Sequence, residues 1–414
     1  MIDYLIVGAS HAALAAVAAI RMHDPDGSIT MLSKDDALPY SPTVLPYVVS
    51  GRSQPENISL RDEAYFSSHK VDYIRGRALS KVDAAKNRVR LSSGEEIGFA
   101  KLLLATGAAP LLPPIPGLDS VDFHVLRTLS DARHLRDALP QTGSAVVLGG
   151  GLIGMHAAEN LAKAGVDVTV VEMQRHVLPG YFDAAAAAII EAVFGAKGVR
   201  LLLGSSVVKL SPRTKQGVQL CLADGSELDA DLLLVATGVA PVMDYLDGSG
   251  TATDRGILVD DCMRTSVENI WAAGDVAQAR GFYDGKKSIN GILPSAVEQG
   301  RIAGMAMAGD PALPAYSGGV PLNTYAFFGQ RAVSVGSQSD GEVVAAESDL
   351  ESRRYLKIVM QEGRLTGIFG INVAFDPGVM WQLILRRVDL TPVREKFIAD
   401  PQQTARVLMS RIWR

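Results

Sequence analysis

Two short runs of β-branched and apolar residues each end in a glycine turn and are followed by an alanine-rich stretch. The first run covers residues 4–7, with a helix predicted over 8–21. The second covers residues 145–148 and is followed by the stretch 149–164, in which residues 155–164 are available as the helix. Strands that alternate with helices in this way are typical of βαβ units, whose parallel sheet is covered by helices. The pattern therefore predicts an α/β fold with two such units.

The pattern changes after residue 316, where strand-like runs such as 331–335 and 354–359 replace the strand–helix alternation. A third domain, of the α+β type, is predicted there. The stretch 111–117 is the most proline-dense of the chain, and a stiff segment of this kind is typical of a domain crossing. A length of 414 residues suits about three domains. We expect a discontinuous first domain of residues 1–112 and 246–316, a second domain of residues 113–245 and a C-terminal α+β domain of residues 317–414.

Composition excludes several classes of protein. The net charge of −5 gives no overall attraction to phosphate backbones or anionic lipid, so neither nucleic acid nor membrane is an expected partner. The chain has only two cysteines, Cys221 and Cys262, which excludes a CxxC pair, a four-cysteine cluster and a disulfide framework. No basic leader and no apolar run of about 18 residues is present. We expect a cytoplasmic protein without a metal site.

Residues 149–154 (GGGLIG) form a complete G-x-G-x-x-G motif between the second apolar run and its helix. Such glycines allow a tight turn and a close approach to a pyrophosphate at the helix N-terminus. Glu172 ends the next predicted strand, about 20 residues on, where an acid can bond the ribose 2′-hydroxyl and repel a 2′-phosphate. We therefore expect NADH rather than NADPH, although Arg175 and His176 lie nearby. The alternative is a glycine-rich turn that binds nothing.

The N-terminal copy of the motif, residues 8–13 (GASHAA), is degenerate. Ser10 takes the second glycine position, and Ala13 takes the third, where alanine is tolerated. After the next predicted strand Ser33 stands in the acid position, with two aspartates just beyond it. The motif predicts a second dinucleotide fold of the Rossmann type and leaves its ribose contact open.

Two near-identical Ala-Thr-Gly motifs close apolar runs at residues 105–107 and 236–238, and residues 269–275 (NIWAAGD) follow a strand-like segment. With the two glycine motifs, they make the chain similar to the FAD-dependent pyridine nucleotide–disulfide oxidoreductase superfamily over essentially residues 1–330. The resemblance implies two cofactors, FAD in the first domain and NAD(H) in the second. It also implies that the protein is an FAD-dependent NAD(H) oxidoreductase.

The resemblance further implies roles for individual residues. Asp275 would hold the ribityl chain of FAD, Arg127 would be a further flavin contact, and the helix starting near Pro294 would direct its positive end at the flavin. The alternative for Asp275 is a loop carboxylate that caps a helix. The implied FAD contacts are Gly8, Ala9, Ser10, His11, Ala12, Ala13, Pro42, Thr43, Leu79, Ala105, Thr106, Gly107, Arg127, Gly274, Asp275, Pro294 and Ala296. The implied NAD contacts are Gly149, Gly151, Leu152, Ile153, Gly154, Glu172, Ala236, Thr237 and Gly238.

The stretch 38–47 (LPYSPTVLPY) is similar to the segment that carries the redox-active cysteine in coenzyme A disulfide reductases and NADH oxidases. Thr43 stands where that cysteine would be, so a thiolate relay is excluded, and Thr43 is a candidate residue next to the flavin. Electrons would leave the flavin directly, for a small acceptor or a docked redox protein. The ferredoxin and rubredoxin reductases of the superfamily transfer electrons in this direct way.

His156 takes a position where members of this superfamily commonly carry a glutamate, near the nicotinamide and flavin rings. It is a candidate catalytic residue, because histidine can exchange protons near neutral pH, or it can simply shape the pocket. A helix histidine without a chemical role is the alternative. Hydride transfer depends more on ring stacking and exclusion of water than on an acid or a base. No residue is therefore assigned as an indispensable acid or base.

Four stretches, 38–51, 235–246, 322–329 and 375–380, are similar to the NADH-linked flavoprotein subunits of phenylglyoxylate dehydrogenases, and this similarity runs along the whole chain. In that family a thiamine diphosphate subunit decarboxylates a 2-oxoacid onto coenzyme A, iron–sulfur subunits carry the electrons, and the flavoprotein passes them to NAD⁺. The resemblance thus implies iron–sulfur and thiamine diphosphate subunits as partners. Two alternatives stay open: a free-standing NADH-dependent ferredoxin or rubredoxin reductase, and a non-catalytic scaffold that has lost FAD.

Overall fold

The protein is described from a computed structural model, which covers residues 1–213 and 217–412. Within these residues the chain forms ten α-helices. They are α1 (His11–His23), α2 (Leu45–Val49), α3 (Glu63–Ser68), α4 (Leu129–Ala138), α5 (Leu152–Lys163), α6 (Ala184–Ala196), α7 (Leu293–Ala308), α8 (Pro377–Leu385), α9 (Arg394–Ala399) and α10 (Pro401–Ile412). In the described ranges, no helix has both the length and the apolar character needed to cross a bilayer.

The strands are grouped into three main sheets and several small ones. In chain order they are β1 (Ile2–Val7), β2 (Ile29–Leu32), β3 (Val71–Ile74), β4 (Leu79–Asp83), β5 (Arg88–Leu91), β6 (Glu96–Leu104), β7 (Ala108–Pro110), β8 (Ser144–Leu148), β9 (Asp167–Glu172), β10 (Arg200–Leu203), β11 (Val207–Pro212), β12 (Val218–Leu222), β13 (Glu227–Ala230), β14 (Leu232–Val235), β15 (Val239–Pro241), β16 (Ile257–Leu258), β17 (Ile270–Ala272), β18 (Ala277–Arg280), β19 (Lys287–Ser288), β20 (Leu322–Phe327), β21 (Gln330–Gly336), β22 (Glu342–Asp349), β23 (Arg354–Gln361) and β24 (Arg364–Ile371).

The first sheet joins two distant parts of the chain. Strands β3, β2, β1 and β6 are parallel neighbours, β17 pairs with the end of β6, and β5 and β4 extend the sheet antiparallel. Helices α1 and α7 pack closely, because a Cβ atom at Gly300 would lie 2.1 Å from the carbonyl oxygen of Ala12. The pairing of β17 with β6 supports the proposal that residues 246–316 return to the domain begun by residues 1–112.

The second sheet has the parallel order β10-β9-β8-β14, and the small antiparallel sheet β11-β12-β13 packs on one of its faces. Strands β8 and β14 are almost continuously buried, as is typical of parallel sheets covered on both faces. Strands β7 and β15 pair antiparallel, so the two segments that enter and leave this part of the chain run side by side. This arrangement supports the proposed second domain of residues 113–245.

The third sheet is antiparallel, with the order β20-β21-β24-β23-β22. On one face Tyr325 and Phe369 share a hydrophobic core with the second domain and α2. On the other face Ile358 and Ile368 pack under α8, α9 and α10. The predicted fold class, two parallel dinucleotide-binding sheets plus a C-terminal α+β part, is therefore confirmed.

Two predicted helix starts differ from the structure by a few residues. Helix α1 begins at His11 rather than at residue 8, and α5 begins at Leu152 rather than at residue 155. The preceding residues form the turns themselves, since Gly8 and Gly149 have φ angles of +120° and +107°, which no helix uses. The glycine motifs therefore belong to the loops, and their following helices point their N-termini at them.

A hydrogen-bonded ion pair, here called the Asp183 latch, joins the proposed second and third domains. Asp183 caps α6 and accepts hydrogen bonds from the Tyr355 hydroxyl (2.7 Å) and the Lys357 ammonium (3.3 Å). Burial by itself raises the pKa of Asp183, but the bonds from Tyr355, the Ala186 amide and Lys357 outweigh it and bring the pKa below its ordinary value of 3.8. The charged carboxylate therefore stabilises the folded state above that pH.

Asp183→Asn keeps the helix cap but removes the charge, and we expect it to lower the free energy of unfolding at pH 7 by about 1 kcal/mol. As the pH falls through the lowered pKa of Asp183, below the ordinary value of 3.8, the wild-type carboxylate takes up a proton and the difference should disappear. Urea unfolding of wild type and variant at pH 7 and at acid pH measures the difference in free energy of unfolding at each pH. Asp229→Asn, at an exposed acid on β13, is the control. A pH-independent difference would show that the charge is not what stabilises the latch.

Candidate functional site

The first glycine turn joins β1 to α1 and meets the loop after β6. A Cβ atom at Gly8 would lie 2.0 Å from the carbonyl oxygen of Ala105, so only glycine fits there. The amide of Ala105 in turn donates to the carbonyl of Val7. Residues 8–13 and 105–107, all expected FAD contacts, are thereby brought together at the carboxyl ends of two parallel strands.

The loop after β17 and the start of α7 reach the same place. A Cβ atom at Gly274 would lie 3.3 Å from the Cβ atom of Ala12 and 3.8 Å from that of Ala296. The amide of Gly274 donates to the side chain of Gln299 (2.8 Å). Pro294 lies in the first turn of α7, where proline is well tolerated. Elements from the two halves of the first sheet therefore converge on one cleft.

Arg127 and Asp275 form an ion pair in this cleft. The guanidinium of Arg127 donates to Asp275 (3.0 Å), and its Nε donates to the carbonyl of Ala108 (2.9 Å). The side chains are 20% and 25% exposed. Asp275 is thus oriented by an arginine from the start of the second part of the chain, and this pair, rather than a helix cap, is its contact in the structure.

Polar groups in the cleft are arranged in a way that suits a bound cofactor. Among the described residues, Nε2 of His11 is buried without a hydrogen-bond partner. Burial lowers the pKa of His11, and the Asp275 carboxylate opposes that shift. The N-cap residues of α1 and α7, Ser10 and Ile292, make no side-chain capping bond. Two helix N-termini with free N–H groups, a buried unpartnered nitrogen and an ordered carboxylate fit a cofactor with a pyrophosphate and hydroxyls, such as FAD.

The second glycine turn has the same construction. A Cβ atom at Gly149 would lie 2.4 Å from the carbonyl oxygen of Ala236, and one at Gly154 would lie 1.9 Å from that of Gly149. At Gly151, by contrast, no heavy atom of the described chain lies within 4 Å of an added Cβ. Two of the glycines are therefore required by the fold, whereas Gly151 faces open space at the N-terminus of α5, where a dinucleotide is expected.

Glu172 ends β9 beside this turn, as its spacing predicts. Its carboxylate accepts from the amides of Gly150 (2.6 Å) and Gln174 (2.7 Å). The side chain is therefore held at the edge of the turn, where the ribose of a bound NAD(H) is expected. The bond to Gly150 is a feature that the motif alone does not reveal.

The segment with Thr43 forms a separate wall of the site. Thr43 is exposed, and its hydroxyl lies 2.8 Å from that of Ser41. The segment leads into α2, where the carbonyl of Pro46 accepts from the side chain of Asn160 on α5 (2.9 Å). The expected flavin-proximal segment of the first domain thus contacts the helix of the second glycine turn. Leu79, a further expected FAD contact, begins β4 two residues after Arg77, whose amide donates to the carbonyl of Ser33 just beyond β2.

Neither cysteine lies on this wall. Cys221 is on β12 of the small antiparallel sheet, and Cys262 is in the turn after β16. Both are free thiols. The structure therefore provides no thiol at the position of Thr43.

His156 lies one turn before Asn160 on α5, and its environment brings in a residue that the sequence analysis missed. Its ring meets Tyr325 edge-on, with centroids 4.6 Å apart. Burial lowers the pKa of His156, so the imidazole is neutral near pH 7. Tyr245 was also missed, and its hydroxyl lies 2.7 Å from that of Thr106. No local motif marks either tyrosine, since both reach the site from distant parts of the chain.

Comparison with known proteins agrees with this site. Residues 2–300 match the family described as pyridine nucleotide-disulphide oxidoreductase. The chain is 56% identical to the NADH-dependent phenylglyoxylate dehydrogenase subunit epsilon of Aromatoleum evansii, over 99% of this chain and 98% of that protein. It is 31% identical to the biphenyl dioxygenase system ferredoxin–NAD(+) reductase component of Paraburkholderia xenovorans, over 94% and 95% of the two chains.

Among solved structures, the fold resembles the covalent putidaredoxin reductase–putidaredoxin complex, with a TM-score of 0.85, 24% identity and 94% of each chain covered. The protein is an oxidoreductase whose cofactors are FAD and NAD(H). It belongs to the pyridine nucleotide-disulphide oxidoreductase family.

Proposed function

We propose that this flavoprotein passes electrons between an iron–sulfur protein and NAD⁺ as a subunit of a phenylglyoxylate-type, coenzyme A-acylating 2-oxoacid dehydrogenase. Two reduced iron–sulfur donors, each giving one electron, one proton from water and one NAD⁺ would yield one NADH. The reverse direction uses the same groups when NADH is abundant. The oxoacid and its thiamine diphosphate would belong to other subunits, so this chain would contact neither.

The single observation that carries the proposal is the absence of a thiol at Thr43, combined with two glycine turns that suit two dinucleotides. A disulfide relay needs a cysteine next to the flavin, and the described residues place neither Cys221 nor Cys262 there. Electrons must therefore enter and leave at the flavin itself. FAD, when bound, can take electrons singly from an iron–sulfur donor and give them up in pairs as hydride.

The chain's own residues bind and orient the two cofactors. The free N–H groups at the N-terminus of α1 would receive the FAD pyrophosphate, with Asp275 held for the ribityl hydroxyls by Arg127. The N-terminus of α5 would receive the pyrophosphate of NAD(H), with Glu172 at its ribose. Helices α5 and α2 share a hydrophobic core, which holds the second glycine turn and the Thr43 segment together.

The relative from Aromatoleum evansii supports the complex, because the similarity covers nearly all of both chains. A second candidate function, a free-standing NADH-dependent ferredoxin reductase, is favoured by the relative from Paraburkholderia xenovorans, whose similarity also spans almost the full length. Gel filtration of a native extract separates the two. The flavoprotein should elute in a large assembly with iron–sulfur and thiamine diphosphate subunits if the first candidate is right, and alone if the second is.

Electron transfer is tested by mixing the FAD-loaded protein with a chemically reduced bacterial ferredoxin and NAD⁺ without oxygen. We expect one NADH to form for two ferredoxins oxidised. The double variant Cys221→Ser, Cys262→Ser should give the same rate, because no thiol takes part. Loss of NADH formation in the double variant would contradict the direct route, and no NADH from the wild type would contradict the proposed function.

A further inference from the structure

The ring of Tyr325, whose hydroxyl has no hydrogen-bond partner among the described residues, packs against His156. Tyr325 on β20 is 2% exposed, and among the described residues its hydroxyl has no hydrogen-bond partner. Its ring stacks on Phe327, with centroids 5.0 Å apart, and meets the His156 ring edge-on at 77°. Buried hydroxyls are rarely left without a partner, because desolvating a donor is costly. We therefore expect this hydroxyl to form a hydrogen bond in another state of the site.

The place of His156 suggests what that state is. His156 and Asn160 are one helical turn apart and so lie on the same face of α5. Asn160 bonds the carbonyl of Pro46, just beyond Thr43. His156 thus lies between the second glycine turn and the flavin-proximal segment of the first domain. A nicotinamide that reaches from the turn towards FAD has to cross this space.

Few charged groups act on the pair of rings. On the same helix, Glu159 raises and Lys163 lowers the pKa of His156, and both effects are smaller than that of burial. The Glu159 carboxylate is already bonded to Lys163 and to the amide of Phe328 (2.6 Å). Burial raises the pKa of Tyr325 well above its ordinary value, so the phenol keeps its proton.

From the facing helix α2, the ionisable side chain is Tyr47, whose ring lies under the Arg52 guanidinium at 5.2 Å. Near neutral pH, His156 and Tyr325 are therefore a pair of uncharged rings. A phenol can donate a hydrogen bond and a neutral imidazole nitrogen can accept it. The two groups are matched as donor and acceptor, although in this structure they meet only through ring edges.

We propose that Tyr325 is a positioning residue of the nicotinamide site, whose hydroxyl donates a hydrogen bond to the imidazole of His156 when that ring turns to admit the nicotinamide. The inference rests on the proposed function, since it assigns a residue of the third domain to the same site. A hydrogen bond to the neutral imidazole favours that form over the protonated one. Tyr325 thereby keeps a positive charge away from the nicotinamide.

This role predicts a selective effect of Tyr325→Phe, which removes only the hydroxyl. Without the donor, the pKa of His156 in the complex rises, and more of the imidazole is protonated at pH 6.5. The lost hydrogen bond stabilises only the complex with a neutral imidazole, so the loss of affinity is largest where that imidazole is neutral. We expect the affinity for NAD⁺ to fall about tenfold at pH 8.5, the effect of a shift of about one pKa unit, and the loss to shrink as the pH falls.

The experiment measures binding to the FAD-loaded protein by fluorescence, with NAD⁺ and with the unreactive analogue 1,4,5,6-tetrahydro-NAD. The analogue makes the same ring turn, so its affinity for Tyr325→Phe should fall by a similar factor at pH 8.5. Tyr355→Phe, which removes a hydroxyl bonded to Asp183 in the same interface, should change neither affinity. In the double variant with His156→Gln, the pH dependence should vanish.

A loss of affinity that is larger at pH 6.5 than at pH 8.5, or no change with either ligand, would overturn the positioning role. Failure of the wild type to bind NAD⁺ or the analogue at all would instead contradict the proposed function, and the inference with it. The melting temperature of Tyr325→Phe should not fall, because the variant removes a hydroxyl that has no partner in the unliganded protein.

Discussion

Replacing Gly151 with alanine will leave the folded protein and its FAD intact and will weaken NADH binding about 100-fold, or about 2.7 kcal/mol. An added Cβ atom at residue 151 meets no atom of the described chain within 4 Å, and its φ of −76° suits alanine. In the complex with NADH, by contrast, the pyrophosphate is expected to approach the backbone at this glycine, where the added Cβ atom would meet it. The clash therefore arises only when NADH binds.

An anaerobic NADH titration of the flavin absorption bands measures this effect, and the melting temperature and FAD content show that the fold is unchanged. Gly195→Ala, on α6 and likewise facing open space, is the matched control and should titrate like the wild type. Gly154 would be a poor choice for this test, because a Cβ atom there would lie 1.9 Å from the carbonyl of Gly149 and would disturb the turn itself. Wild-type affinity in Gly151→Ala would mean that the pyrophosphate lies elsewhere.

The Asp275→Asn variant should be purified with little or no FAD, with an affinity for FAD lowered about 1,000-fold, or about 4.1 kcal/mol. The change is nearly isosteric, but it removes the charge that holds Arg127 at 3.0 Å and that faces the expected ribityl hydroxyls. Arg127 would then be left in the cleft, 20% exposed, without its counter-ion. Both effects reduce cofactor binding.

Equilibrium dialysis of the apoprotein with FAD gives the affinity. The control is Asp261→Asn, which breaks an ion pair of similar length, to Arg280 at 3.1 Å, away from the cleft. That variant should keep its FAD. Full retention of FAD by Asp275→Asn would contradict the assignment of this carboxylate to the cofactor.

Much of the fold could be predicted from local sequence. The apolar runs before Gly8 and Gly149 are strands, and the alanine-rich stretches after them are helices, because strand and helix periodicities are properties of neighbouring residues. Glu172 lies beside the second turn for the same reason, since one βαβ unit fixes the spacing.

Contacts between distant segments could not be read in the same way. Arg127 and Asp275 are 148 residues apart, and their pairing depends on β17 returning to β6. The resemblance to a family suggested both residues, but no periodicity links them. Tyr325 was missed altogether, because its approach to His156 depends on how the third sheet packs on α5, and no motif encodes that packing.

The central claim is that electrons pass directly between NAD(H) and the flavin, with no thiol relay. It is tested most directly by the stoichiometry of an anaerobic titration of the FAD-loaded protein with NADH. We expect the flavin absorption to bleach fully with one NADH per FAD, and NADPH to have little effect because Glu172 repels its 2′-phosphate. A requirement for a second NADH would reveal a further two-electron acceptor, such as a disulfide, and would contradict the account, as would a flavin that NADH cannot reduce.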